Sequence, residues 1–232
     1  MLEKLYAIGM NDAMITSSVL TIIISIFAIV AGRNLQMMPD GLQNAVEMGI
    51  EKLHGFFEDL MGEHLCKRYF PIVGTLFIWI LVCNYTGLLP LAGKMNGFQA
   101  PTSNLNIPAG MAITVLILLQ VIAIREHGSF RKAYKRFVSP FAFMLPLMLV
   151  DELAKPLSLT FRLYGNTFGD EEVVAKFGEL CGIGLPVIMQ FLVVLFALIQ
   201  ALVFSLLTAI YITEACEGSE EEEHLMAPVK AE

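Results

Sequence analysis

The 232-residue sequence is short of charge, at 16% Asp, Glu, Lys and Arg, and it holds four cysteines. Cys66, Cys83, Cys181 and Cys216 lie far apart, and none forms the paired CxxC spacing of a zinc or redox site. They read as buried free thiols. The cluster Glu58, Asp59, Glu63 and His64 lacks HExxH spacing and reads as a solvated helix face, so no metal is expected. There is no phosphate-binding glycine loop and no nucleophile beside a base, which excludes a cofactor-bearing or hydrolytic centre of the common kinds. Basic residues occur only in short clusters beside apolar blocks, without the extended basic surface of a nucleic-acid binder. No internal repeat is visible, which weighs against an inverted-repeat transporter.

What the sequence has in plenty is apolar residues, 56% of the total, in blocks of about membrane-spanning length. It therefore reads as an all-α integral membrane protein in a lipid bilayer, with about five crossing helices and one surface helix. The first block, 14–32, is too long for a signal-peptide core and is followed by no clear small-residue cleavage pattern, so it is expected to stay as a span. Over 40–68, Leu42, Val46, Ile50, Leu53, Phe57, Leu60 and Leu65 recur at helical spacing among acidic residues. Asp40 with Gln43 has the form of a helix start, and the whole stretch predicts an amphipathic helix along the membrane surface. Further spans are expected at 71–90 and 107–124, joined by a loop containing Gly, Pro and Asn.

Arg125, Arg131, Lys132, Lys135 and Arg136 form the strongest basic cluster, which places the loop after 124 in the cytoplasm. By alternation the N-terminus is outside and the C-terminus cytoplasmic. The segment 138–176 must then cross outward, yet at about 1.5 Å per residue its length is about twice the ~30 Å of hydrocarbon. Pro140, Pro146 and Pro156 offer places to bend, so a hairpin followed by a strongly tilted helix is expected. The last span, 185–213, is also over-long and should tilt beside it. The acidic stretch 214–232 reads as a solvated, disordered tail.

One run sets charge at membrane depth: KPLSLTFRLYGNTFGDEE, over 155–172. An arginine at a helix centre costs roughly 2.5–3.5 kcal/mol, so Arg162 needs a reason to be there. At about 100° per residue, Lys155, Ser158, Arg162 and Asn166 form one polar stripe. Glu171 is turned to roughly the opposite face, about 13 Å further along. A structural ion pair of Arg162 with Asp151 is the plainer reading. Asn84, inside the second span, serves either an ion path or an interhelical hydrogen bond, and Gln200 interrupts the last span in the same way.

This run resembles the a subunit of F-type ATP synthases. PTSNLN at 101–106, NYTGLLP in the second span and LIQALVFSLLTAIYI at 198–212 resemble further segments of that family, in the same order. The resemblance implies a non-catalytic stator subunit in a bacterial inner (plasma) membrane, set against a c-ring and held by peripheral stalk b subunits. Two half-channels would couple H⁺ or Na⁺ flow to rotation and ATP synthesis. By position, Arg162 matches the family's essential arginine, Asn166 its signature asparagine, Glu171 the acid of an aqueous access path and Gln200 the polar residue packed near the arginine. Lys155 matches the basic residue of the KPxSL segment, and Ser158, Asp170, Asn84 and Asn104 complete the expected polar path. Two positions depart from the pattern: Val193 stands where many relatives have an ionisable residue, and Asp170 where a small residue is usual, so Asp170 or Glu172 is a candidate to share the role of Glu171. The reading from another class is a stand-alone anion transporter that binds substrate through Arg162 and Lys155. A purely structural scaffold leaves the buried arginine unexplained.

Overall fold

The computed structural model describes residues 12–33, 41–88, 100–126, 145–180 and 184–226. Among the described residues the chain is helical, with six α-helices and one short 3-10 turn at Pro101–Ser103. The helices are α1 Asp12–Arg33, α2 Leu42–Met61, α3 Glu63–Gly87, α4 Asn106–Glu126, α5 Leu145–Leu180 and α6 Gly184–Met226. Asp40, most of the 91–106 loop, Arg131, Lys132, Lys135, Arg136 and the expected hairpin at 138–144 lie outside the described residues.

Among the described residues four helices are long and apolar enough to cross a membrane: Asp12–Val30, Glu63–Gly87, Asn106–Glu126 and Val187–Cys216. The 36-residue α5 is longer than a crossing requires and carries the charged run, which keeps it out of that apolar set. It packs along α4 and α6, however, and so belongs to the same bundle as the fifth helix of crossing length. Most hydroxyls of α1 are satisfied locally, as lipid demands. In α1, Thr16, Ser18 and Ser25 donate to the carbonyls of Asp12, Met14 and Thr21, one turn back, at 3.0, 2.9 and 2.7 Å.

The bundle core runs between α3 and α6, the most extensive helix contact. Ile80, Phe204, Ile212, Leu159 and Leu163 are fully buried there or on the adjoining face of α5. The helix α1 packs at the edge, where Trp79 Nε1–H donates to Thr21 Oγ1 at 3.1 Å. Ile15 is buried, whereas Ile22, Ile26, Ile29 and Val30 are exposed. At the opposite end of α3, Tyr69 donates to Glu126 Oε1 at 2.7 Å and Arg68 pairs with the same carboxylate, joining the ends of α3 and α4.

Three boundaries differ from the sequence reading. The helix expected along the surface ends at Met61, because Gly62 takes φ 78° and ψ 156°, a backbone region open essentially to glycine alone. The second span therefore starts at Glu63 rather than 71 and carries Lys67, Arg68 and Pro71 inside one helix. Pro71 gives up only the bond to the Lys67 carbonyl, which lies near that end of the span, where water can replace it. Third, α6 continues through the acidic residues to Met226. Glutamate is a good helix former, and extending a helix already nucleated avoids the cost of starting one. Of the acidic cluster proposed as a solvated face, Glu63 pairs with Lys67 at 2.6 Å and Glu58 lies 3.4 Å from His54.

Alanine at Gly62 would carry a Cβ that meets no atom within 4 Å, so the strain of the change lies in the backbone alone. The expected cost is about 1–3 kcal/mol, read as a lower thermal midpoint of the solubilised protein. An unchanged midpoint would mean that the corner between α2 and α3 relaxes freely.

Candidate functional site

Around α5 three bands of residues follow from the 3.6-residue period. Leu159, Thr160, Leu163 and Thr167 are buried against the neighbouring helices. Leu157, Phe161 and Phe168 are 55%, 61% and 45% exposed and form an outward apolar face with Gly165. The polar stripe lies along the edge between them, since Lys155, Ser158, Arg162 and Asn166 stay within about 40° of the Arg162 direction.

Arg162 is half-buried on this edge and donates from Nη2 to Ser158 Oγ at 3.4 Å. Among the described residues no carboxylate pairs with it. The Asp151 considered as its structural partner lies instead 3.9 Å from Lys155 Nζ. One turn further, Asn166 Nδ2 donates to Gln200 Oε1 at 2.6 Å, so the stripe is tied to α6 beside the arginine.

Lys155 is enclosed. Its Nζ donates to Glu214 Oε2 at 3.2 Å and lies 3.5 Å from Glu152 Oε2, with the Tyr211 ring centroid 5.0 Å away. Glu152 in turn accepts from Gln120 Nε2 of α4 at 2.6 Å. The cluster thus ties α4, α5 and α6 together two turns from Arg162. It also fixes a register: 155 to 166 and 200 to 211 are eleven residues each, so the Lys155–Tyr211 and Asn166–Gln200 contacts belong to one antiparallel pairing.

The other polar residues divide. Asn84 donates to the Ala197 carbonyl at 3.4 Å, and Gln190 to the Leu88 carbonyl at 2.7 Å, both between α3 and α6. Asn84 Oδ1, Gln200 Nε2, Thr102 Oγ1 and Ser205 Oγ are buried without a protein partner. Buried polar atoms are rarely left so, and such a set marks the interior near α6 as a place suited to water. Asn104 is used locally, accepting the Asn106 N–H at 3.1 Å where α4 begins, and the structure does not bring it to Arg162. Asp170 is half-buried on α5, whereas the side chain of Glu171 lies outside the described residues. Val193 stands half-buried on α6.

Glu152, Glu214, Gln120 and Tyr211 were not singled out as site residues from the sequence. Separations of 32 residues for Gln120 and Glu152 and 59 for Lys155 and Glu214 give no periodic signal. Only an unpaired lysine at membrane depth could have prompted a search for their carboxylates.

Asn166→Leu should cost about 1–3 kcal/mol by leaving the Gln200 carbonyl buried and unpaired. Asn166→Leu with Gln200→Leu should cost less than the sum of the two single changes, in a thermal-denaturation double-mutant cycle. Additive losses would mean that the two amides do not bond.

The protein-family model described as ATP synthase A chain matches residues 14–213. The chain is 38% identical over 217 residues to ATP synthase subunit a 1 of Pelobacter propionicus, covering 92% of this chain and 89% of that one. To ATP synthase subunit a of Moorella thermoacetica it is 39% identical over 188 residues, or 81% and 83% of the two chains. For the subunit a of a Geobacter species the figure is 35% over 230 residues, 96% and 95%.

Proposed function

The chain belongs to the ATP synthase A chain family, non-catalytic membrane subunits of F-type ATP synthases, and from that premise we propose that it forms two offset half-channels against a c-ring and couples ion flow to rotation. Peripheral stalk b subunits hold it still. The ion is H⁺ or Na⁺. The N-terminus lies outside, the C-terminus in the cytoplasm, and α5 and α6, at 36 and 43 residues, cross at a strong tilt.

The observation that carries this reading is a cation with no carboxylate of its own among the described residues, set at the edge of an outward apolar face. A guanidinium keeps its proton at any accessible pH, so Arg162 cannot relay ions and instead separates the two paths. Its charge favours the ionised form of an approaching ring carboxylate and so releases the bound ion. When the ring moves on into lipid, an ionised carboxylate without that partner is costly, and the site must first reload from the other half-channel. Each charge that crosses 100 mV supplies about 2.3 kcal/mol to turn the ring.

Asn166 and Gln200 hold the stripe in register beside the arginine. The partnerless polar atoms of Asn84, Thr102 and Gln200 support a hydrated path toward the outer side, with Glu171 and Asp170 as its carboxylates. Ser158 steadies the guanidinium, and Asn104 shapes the start of α4 behind this path.

The reading is tested by ATP-driven ion uptake into proteoliposomes that hold the purified complex, native against Arg162→Ala. Anion uptake by the chain reconstituted alone would support a stand-alone transporter instead.

A further inference from the structure

Two cations of the same stripe are treated in opposite ways. Lys155 has Glu214 at 3.2 Å, Glu152 at 3.5 Å, Asp151 at 3.9 Å and the Tyr211 ring at 5.0 Å, while Arg162 has Ser158 at 3.4 Å. Three carboxylates for one ammonium exceed what a helix-pinning ion pair needs. They come from two helices, and Gln120 of a third helix holds Glu152 in place at 2.6 Å. We propose that this cage withholds the Lys155 charge from the ring carboxylate, so that Arg162 is the cation the ring answers to. The inference rests on the rotary reading given above.

Seven residues separate Lys155 from Arg162, which is about two turns, about 10 Å, and within about 20° of the same face. A bare charge at that distance, in a medium of effective dielectric about 20, favours the ionised carboxylate about tenfold. A ring carboxylate held ionised by a second cation would be slow to reload and slow to enter lipid. Glu152, Glu214 and Asp151 more than offset that charge at its source, and the aromatic face of Tyr211 restrains the ammonium from the α6 side. They act through Lys155 and are positioning residues, not ion carriers.

The test is ATP-driven uptake by assembled complexes carrying Asp151→Asn, Glu152→Gln and Glu214→Gln together, with and without Lys155→Met. The stripped variant, which leaves the ammonium bare, is expected to lose about tenfold in uptake, with ATP hydrolysis slowed alongside. Adding Lys155→Met is expected to restore uptake to within about twofold of native, although it removes still more of the network. A merely structural role predicts the reverse order. A quadruple variant as slow as the stripped one overturns the proposal and assigns the carboxylates to the ion path or to packing. Native uptake by the stripped variant overturns it too. Should the stripped variant fail to assemble, Glu152→Gln with Glu214→Gln, which leaves Lys155 only the 69% exposed Asp151 side chain at 3.9 Å, decides the matter through a smaller expected loss, roughly threefold, recovered by Lys155→Met. Arg162→Ala measured alongside separates the two levels. If it retains native uptake the rotary reading falls, whereas if it is inactive and the quadruple variant is not restored, only the cage proposal falls.

Discussion

Proteoliposomes holding an assembled Arg162→Ala complex should take up no ions on addition of ATP, while the complex continues to hydrolyse it. On the proposed function, removing the guanidinium removes a group that both favours release of the ring's ion and keeps the two half-channels apart. Ions should then leak passively through the assembled complex, a second signature to be read with an ionophore-clamped gradient. Arg162→Lys should be nearly as damaging, since an ammonium at this depth can lose its proton and lacks the planar fork. The competing structural view makes a different forecast. Were Arg162 an ion-pair anchor, its loss would lower stability by several kcal/mol, about 3–5 for a buried pair broken on one side. The geometry gives it one 3.4 Å hydrogen bond to Ser158, and Asp151 is spent on Lys155. Arg162→Ala should therefore leave the thermal midpoint of the complex unchanged or slightly raised. Full uptake by the assembled variant would sink the mechanism, and a collapse in stability would return Arg162 to a structural role.

The spans were legible because lipid permits few alternatives. Lipid-facing side chains must be apolar and every backbone group must bond within its helix, so composition over about 20 residues nearly determines the element. The helix Leu42–Met61 was legible by periodicity, but its end was not. Gly41, Gly49, Gly55 and Gly62 all fall in or beside that stretch, and only folding tells that Gly62, not Gly49 or Gly55, takes a left-handed φ. Pro71 misled for a related reason: it marks where a helix commonly starts, yet here the helix had already begun at Glu63. Within the site, the stripe on α5 followed from spacing alone, because three- and four-residue intervals map directly onto one face. Its partners did not. The resemblance implied Gln200 near Arg162 but not its bond to Asn166, and nothing in the spacing indicated the carboxylate and amide shell of Lys155. Such contacts are set by the register of α4, α5 and α6, which side-chain packing decides over the whole length of the helices.

Gly165→Phe should leave the subunit folded and inserted but reduce ATP-driven uptake at least about a hundredfold. An added Cβ at Gly165 meets no atom within 4 Å, and the residue is exposed on the outward side of Arg162. Phenylalanine is also the better helix residue, by roughly 0.5 kcal/mol, so neither packing nor propensity opposes the change. Phe161 and Phe168 already stand outward on the same face, one turn before and about one turn after, and the glycine between them leaves a notch in that face about one turn along the helix from Arg162. If the ring carboxylate reaches Arg162 across this face, a benzyl group in the notch blocks its approach and stops rotation, so ATP hydrolysis by the intact complex should fall with uptake. That second loss distinguishes this variant from Arg162→Ala, in which hydrolysis continues. If lipid covers the face, an additional aromatic ring is tolerated and uptake is native. The ring carboxylate would then have to reach Arg162 from the opposite side, past the Asn166–Gln200 bond and the buried seam of Leu159 and Leu163, where the helices leave it no room.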